Sequence, residues 1–169
     1  TVGALKKLKR LGRYLLGSAR LTTGYEWQGE ESEITGDSDS DWARCRVARK
    51  STNGDVILVG TNFIKGWSRT QNHDTMSSAE AESIAVVKCT TERMGIQSIS
   101  RDWGTNPTCS LYADSSAALA LAKRKGAGQL RHINDSALWM RDVQDREGVS
   151  YMKVLGTLNP AGLMTRYLT

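Results

Sequence analysis

Three aspartates alternate along residues 35–43, TGDSDSDWA: Asp37, Asp39 and Asp41. Residues two apart in an extended chain share a face, so these carboxylates would stand side by side and repel one another. An Asp/Ser-rich turn, a solvated acidic edge or a bound divalent cation would each accommodate such a run. Two more acids hold comparable places: Glu82 in SSAEAES, near the start of a helical stretch, and Asp114, at the end of the strand-like TCSLYAD. Acids at strand ends and helix starts can converge on one edge of an α/β sheet, where sites commonly form. Each also has a plainer role: Glu82 as a complement to the helix dipole, Asp114 as an N-cap, and Asp39 as a turn residue. Spacing alone leaves both sets of roles open. His73, in QNHD, reads as an exposed loop residue. His132, in LRHIN, is either a phosphate contact or proton shuttle near the site, or a helix-entry residue with no catalytic duty. No His, Ser or Cys set supports a nucleophilic triad.

The elements that must position these acids are legible in the pattern. ALKKLKRLGRYLL (4–16) sets leucines on one stripe and bases opposite, an amphipathic helix. Extended pieces come next at roughly 20–27, 33–40, 54–60 and 62–67, with STNGD read as turn chemistry and Thr61-Asn62 as a hairpin connection. Ser77 and Glu80 have capping-box spacing and open a long helix. Ile84, Val87, Met94 and then Ile99 or Trp103 are expected on its buried side. TCSLYAD is a strand, SSAALALAKRK and INDSALWMRDVQDRE are helices, VSYMKVLG is a strand and PAGLMTRYL a short final helix. Antiparallel strands followed by alternating α and β units imply a mixed sheet covered by helices.

With 169 residues, the chain is expected to form one domain with a real core. No apolar run is long enough to span a bilayer and no signal peptide is visible. Thr1 in place of methionine points to an excised fragment. Cys45, Cys89 and Cys109 form no zinc pattern and read as free thiols in a reducing compartment. The net charge is +5, and its distribution says more. Lys6, Lys7, Lys9, Arg10, Arg13 and Arg20 precede an acidic block, residues 26–41, that holds no base. ARCRVARK and KRK are basic again. An acidic pocket in a basic surface suits a metal-dependent enzyme acting on a polyanion, although scattered surface bases are common.

SDSDWA, RKSTNG, SSAEAES, LYADSSAALALA, RHI and NPAGLMTRYL succeed one another in the order and spacing of a known family. Over residues 4–168 the chain resembles the ribonuclease H domain of copia-type LTR-retrotransposon polyproteins. The resemblance implies a ribonuclease H-like α/β fold, a five-stranded mixed sheet flanked by helices. It also implies that residues 1–18 are an amphipathic connection helix and 19–169 the nuclease-like domain. The implied activity is metal-dependent endonucleolytic hydrolysis of the RNA strand of RNA–DNA hybrids, with two Mg²⁺ ions, or Mn²⁺, at the scissile phosphate. Position by position, Asp39, Glu82 and Asp114 match the family's catalytic and metal-binding acids. Arg44, Arg46, Arg49, Lys50, Ser51, Thr52, Asn53, Arg131 and His132 are the expected nucleic-acid contacts. Implied partners are the hybrid and a reverse transcriptase domain or larger assembly, with no membrane, in the cytoplasm, nucleus or a virus-like particle.

The chain departs from the family pattern at a telling place. Where the family reads NPADLMTK this chain reads NPAGLMTR, so Gly162 stands in place of a fourth acid. Asn134 also replaces an acid in RHIN. Besides a deliberate substitution that traps a substrate or makes a non-hydrolysing module, two readings are compatible with these changes. One is a retroelement nuclease, impaired at the chemical step. The other is a catalytically inactive ribonuclease H-like module that binds nucleic acid or serves as a structural subunit.

Overall fold

The structure, a computed structural model, describes residues 2–29, 33–45, 48–123 and 131–166, and of residues 131–134 the backbone alone. β1 (Ile34–Asp41), β2 (Thr52–Val59) and β3 (Asn62–Thr70) form an antiparallel meander. β4 (Cys109–Ala113) lies parallel to β1, and β5 (Ser150–Lys153) parallel to β4. The result is a five-stranded mixed sheet in the order β3-β2-β1-β4-β5. The expected fold class is therefore what the chain adopts. α2 (Ser78–Asp102) carries the chain from β3 to β4, and α3 (Ser116–Lys123) and α4 (Arg131–Glu147) carry it from β4 to β5.

Two strand-forming segments differ from expectation. STNGD is not a turn: β2 already begins at Thr52, with Asn53 paired to Ser40 and Gly54 to Asp39. Gly54 serves an approach from outside the sheet instead of a bend. A Cβ placed on it would lie 2.7 Å from Ala161 O, Met164 Cβ and Thr165 Cγ2. Those atoms flank and form the short α5 (Gly162–Thr165), which packs there against β2. Residues 20–27 form no strand. Side-chain bonds instead attach residues 26–28 to the β2–β3 turn: Asn62 Nδ2 donates to Glu26 O (2.9 Å) and Gln28 Nε2 to Val59 O (3.0 Å).

α2 begins as its capping box predicts, with Ser77 Oγ accepting from Glu80 N–H at 3.2 Å. Glu80 Oε2 reaches back one residue further, to Met76 N–H at 2.8 Å. Its buried side overlaps the expected one only in part, since Val87 and Met94 pack against the core. Ala81, Ala85, Val86, Cys89, Thr90, Arg93 and Gln97 face inward, while Ile99 and Trp103 are exposed and Ile84, Val87 and Met94 are half-buried. At Gly36 of β1 the helix comes so close that there is no room for a side chain. A Cβ on Gly36 would be 2.9 Å from Cys89 Sγ.

The core between the sheet and α2, α3 and α4 includes Ile34, Ile57, Val86, Leu111, Leu119, Met140 and Tyr151. Burial of such side chains contributes about 1.5–3 kcal/mol each. α1 (Val2–Gly17) forms the predicted amphipathic helix but buries none of its residues. The cysteines are free, with Cys89 and Cys109 buried. Among the described residues, no helix is long and apolar enough to cross a membrane.

Candidate metal centre

Parallel pairing sets the position of two of the acids. Ser38 of β1 lies beside Ala113 of β4, so Asp39 and Asp114, the residues that follow them, come out at the same edge of the sheet. The first turns of α2 bring Glu82 over that edge. One carboxylate oxygen from each of Asp39, Glu82 and Asp114 lies within 4.8 Å of the others. All three predicted acids are thus brought together. Asp37 and Asp41 share the alternation of Asp39 but are not members of this cluster.

The environment makes an empty cluster costly. Glu82 is buried, and its Oε2 has no hydrogen-bond partner. Burial, followed by the charges of Asp39 and Asp114, pushes its carboxyl up to about 8, against a lowering contact from the Ser40 N–H. Asp114 is raised by partial burial and then by the Asp39 charge, while Lys153 and Arg166 pull the other way. Like charges held this close in a desolvated place call for a cation. An all-oxygen set with one unpartnered buried oxygen suits a hard divalent ion.

The segment after β5 completes the site. Asn159 Nδ2 donates to Ser38 O (2.9 Å), and Asn159 Oδ1 accepts from Ala161 N–H (3.0 Å), fastening this segment to β1. Thr165 Oγ1 donates to Asp39 Oδ2, which fixes one of the three acids. Gly162 is buried beside them: a Cβ there would lie 3.8 Å from Asp39 Oδ2 and the same distance from Arg166 Nε and Nη2. Gly156 sits against the third acid, since its Cβ would be 2.7 Å from Asp114 Oδ2. Thr165, Asn159 and Gly156 were not singled out in the sequence; the only signal for them was the NPAGLMTR motif and the loop before it. Gln71 was missed too. It is buried, donating through Nε2 to Ala81 O (2.9 Å) and to Asn53 Oδ1, and so ties the start of α2 to β2.

The expected nucleic-acid contacts divide. Arg44 and Arg49 are exposed, with Arg49 at φ +53°, and Lys50 Nζ donates to Asn72 O at 3.1 Å. Thr52 is half-buried on β2. Ser51 and Asn53 are buried and bonded internally: Ser51 Oγ to Thr75 Oγ1 (2.9 Å) and Ala43 N–H, Asn53 Oδ1 to Gln71. These two build the loop that leads into α2 and present no open surface to a groove. Arg46 and the side chains of Arg131, His132 and Asn134 lie outside the described residues; α4 starts at Arg131. His73 is exposed, as expected, and lines a cleft of about 430 Å³ with Asp74, Met76, Glu80, Ser83, Ile84 and Ser136.

No protein-family model matches the chain. It is 28% identical over 163 residues to the retrovirus-related Pol polyprotein from transposon TNT 1-94 of Nicotiana tabacum, covering 94% of this chain. It is 32% identical over 133 residues to the corresponding polyprotein from transposon RE1 of Arabidopsis thaliana, covering 76% of this chain. The chain spans 12% and 9% of the length of these relatives. Among solved structures, a ribonuclease H1 isolated from compost superimposes with a TM-score of 0.61 at 14% identity, covering 78% of this chain and 91% of the other. The N-terminal ribonuclease H domain of rv2228c from Mycobacterium tuberculosis gives 0.57 at 9% identity, covering 76% and 86%. The protease–reverse transcriptase of prototype foamy virus gives 0.53 at 14% identity, covering 88% of this chain and 23% of the other. The homologues of this chain are retrovirus-related Pol polyproteins of plant transposons, and its fold is the ribonuclease H fold that its motifs implied.

Proposed function

We propose that this chain is the ribonuclease H domain of a copia-type Pol polyprotein, a metal-dependent endonuclease that hydrolyses the RNA strand of RNA–DNA hybrids. The observation that carries the reading is the convergence of Asp39, Glu82 and Asp114, with a buried Glu82 oxygen left without a partner. Asp39, Glu82 and Asp114 would hold Mg²⁺, or Mn²⁺, in their place at the sheet edge. Bound there, the ion supplies Lewis-acid stabilisation of the phosphate and a more acidic water. Thr165 keeps Asp39 oriented, and Asn159 keeps the α5 segment on β1. Exposed Arg44 and Arg49, with Lys50, supply phosphate contacts at the rim, a salt-sensitive contribution. A compost ribonuclease H1 of the same fold has been solved with an RNA/DNA hybrid, which supports that substrate class. The Pol relatives support a reverse transcriptase domain as covalent neighbour; within the chain we read residues 1–18 as the connection and 19–169 as the nuclease unit, in an intracellular setting.

The test is cleavage of a labelled RNA–DNA hybrid in Mg²⁺ and in Mn²⁺, with Asp39→Asn as control. RNA-strand cleavage lost in the variant is the expected result. Gly162, which offers no carboxylate, favours the second reading, a non-cutting hybrid-binding or structural module. Tight, salt-sensitive hybrid binding with no cleavage in either metal would establish that reading and overturn the first.

A further inference from the structure

Gly162 does more than remove a ligand; it opens a path. Position 162 opens α5 and Arg166 comes one turn later, at a spacing where side chains meet. A Cβ on residue 162 would stand 3.8 Å from Asp39 Oδ2 on one side and 3.8 Å from the Arg166 guanidinium on the other. A side chain at 162 would start in van der Waals contact with both groups, whereas glycine puts no side chain beside either. A single point 3.8 Å from both groups places the guanidinium beside the cluster. Lys153, at the end of β5, is tied to Ser116 Oγ on α3. We propose that Arg166 is a built-in cation on the Gly162 side of the cluster, which leaves the three acids to hold one divalent ion and weakens their grip on it. A guanidinium keeps its charge at any working pH and cannot leave with product. This inference rests on the metal-binding reading proposed above.

The test counts ions and does not depend on cleavage. Mn²⁺ is titrated into the full chain at low ionic strength, with bound ion read by electron paramagnetic resonance and calorimetry, for the native protein, Arg166→Gln, Arg166→Lys and Asp39→Asn. The native chain is expected to bind one Mn²⁺, and Asp39→Asn to lose it. Arg166→Gln is expected to bind about tenfold more tightly, the size of one unit charge acting on a divalent ion across a few ångströms of hydrated site. Arg166→Lys should stay within about twofold of native, because the charge remains. Native and Arg166→Gln chains with equal affinity, or two equally tight ions in the native chain, would overturn the role of Arg166 and leave the metal site standing. Folded native and Arg166→Gln chains that both bind no ion would overturn the metal reading and this inference with it. Circular dichroism of each variant establishes that the fold is retained.

Discussion

Asp55 is a carboxylic acid with no exposed surface, paired to Ser38 across β1 and β2. Neither of its oxygens has a full hydrogen-bond partner. Burial pushes its carboxyl from 3.8 up to about 7, against the Ser38 hydroxyl and Cys89 thiol, which favour ionisation. A folded value above the unfolded one means that the native state holds the proton more tightly. The associated stability is fully present below pH 3.8 and is lost progressively as pH rises to about 7. Each pH unit in that window is about 1.4 kcal/mol, so between pH 5 and pH 8.5 the native chain loses about 3 kcal/mol on account of Asp55. Asp55→Asn removes the titration while keeping the shape. Urea unfolding of both chains at pH 5 and pH 8.5 gives two differences, and their gap isolates this residue because other groups titrate in both. The variant should look unremarkable at pH 5 and be clearly the more stable chain at pH 8.5. A gap below about 1 kcal/mol would refute the claim that this carboxyl is held neutral.

Glu82, raised to about 8, must lose its proton to ligate, so divalent-ion binding at pH 7 should release close to one proton. Calorimetry in two buffers of different ionisation enthalpy reads that number, and binding without proton release would contradict it. Gly54→Ala would drive a Cβ to 2.7 Å from backbone Ala161 O, so α5 must shift. A loss of about 1–3 kcal/mol in urea unfolding is expected, together with weaker ion binding as the Thr165–Asp39 bond opens. Gly156→Ala meets only the far end of Asp114, which can swing aside. Its signature should be reduced Mn²⁺ affinity with stability changed by less than about 1 kcal/mol, and the reverse pattern would show that the loop, not the acid, is what glycine serves.

How much of the molecule is legible in its sequence depends on the range of the forces involved. The capping box of Ser77 and Glu80 is local, and it placed α2 and hence Glu82 correctly. The alternation in β1 is also local and placed Asp39, and the convergence of the three acids came from motif order. The buried side of α2 was read only in part, with Val87 and Met94 on the core, because periodicity counts large apolar residues, whereas close approach over Gly36 selects Cys89. Arg93, fully buried with Nη1 donating to Gln97 Oε1 at 3.2 Å, is invisible to any hydrophobic pattern. STNG looked like a turn because glycine has two uses, and only the position of α5 reveals that the second applies. Thr165 and Asp39 are far apart in sequence, so no neighbouring residue signals their hydrogen bond.

α1 carries a consequence for how the molecule opens. Its sixteen residues bury nothing, so its helicity rests on local propensity instead of packing. Helices of that length are marginal in water, and their amides close and reopen independently of a distant core. Hydrogen exchange along Val2–Gly17 should therefore run orders of magnitude faster than along the inner strand β1, whose amides wait for global unfolding. A chain shortened to begin after residue 18 should melt at the same temperature as the whole. Heat and denaturant would then register two independent cooperative units, a solvated helix and a sheet-centred body, in one polypeptide.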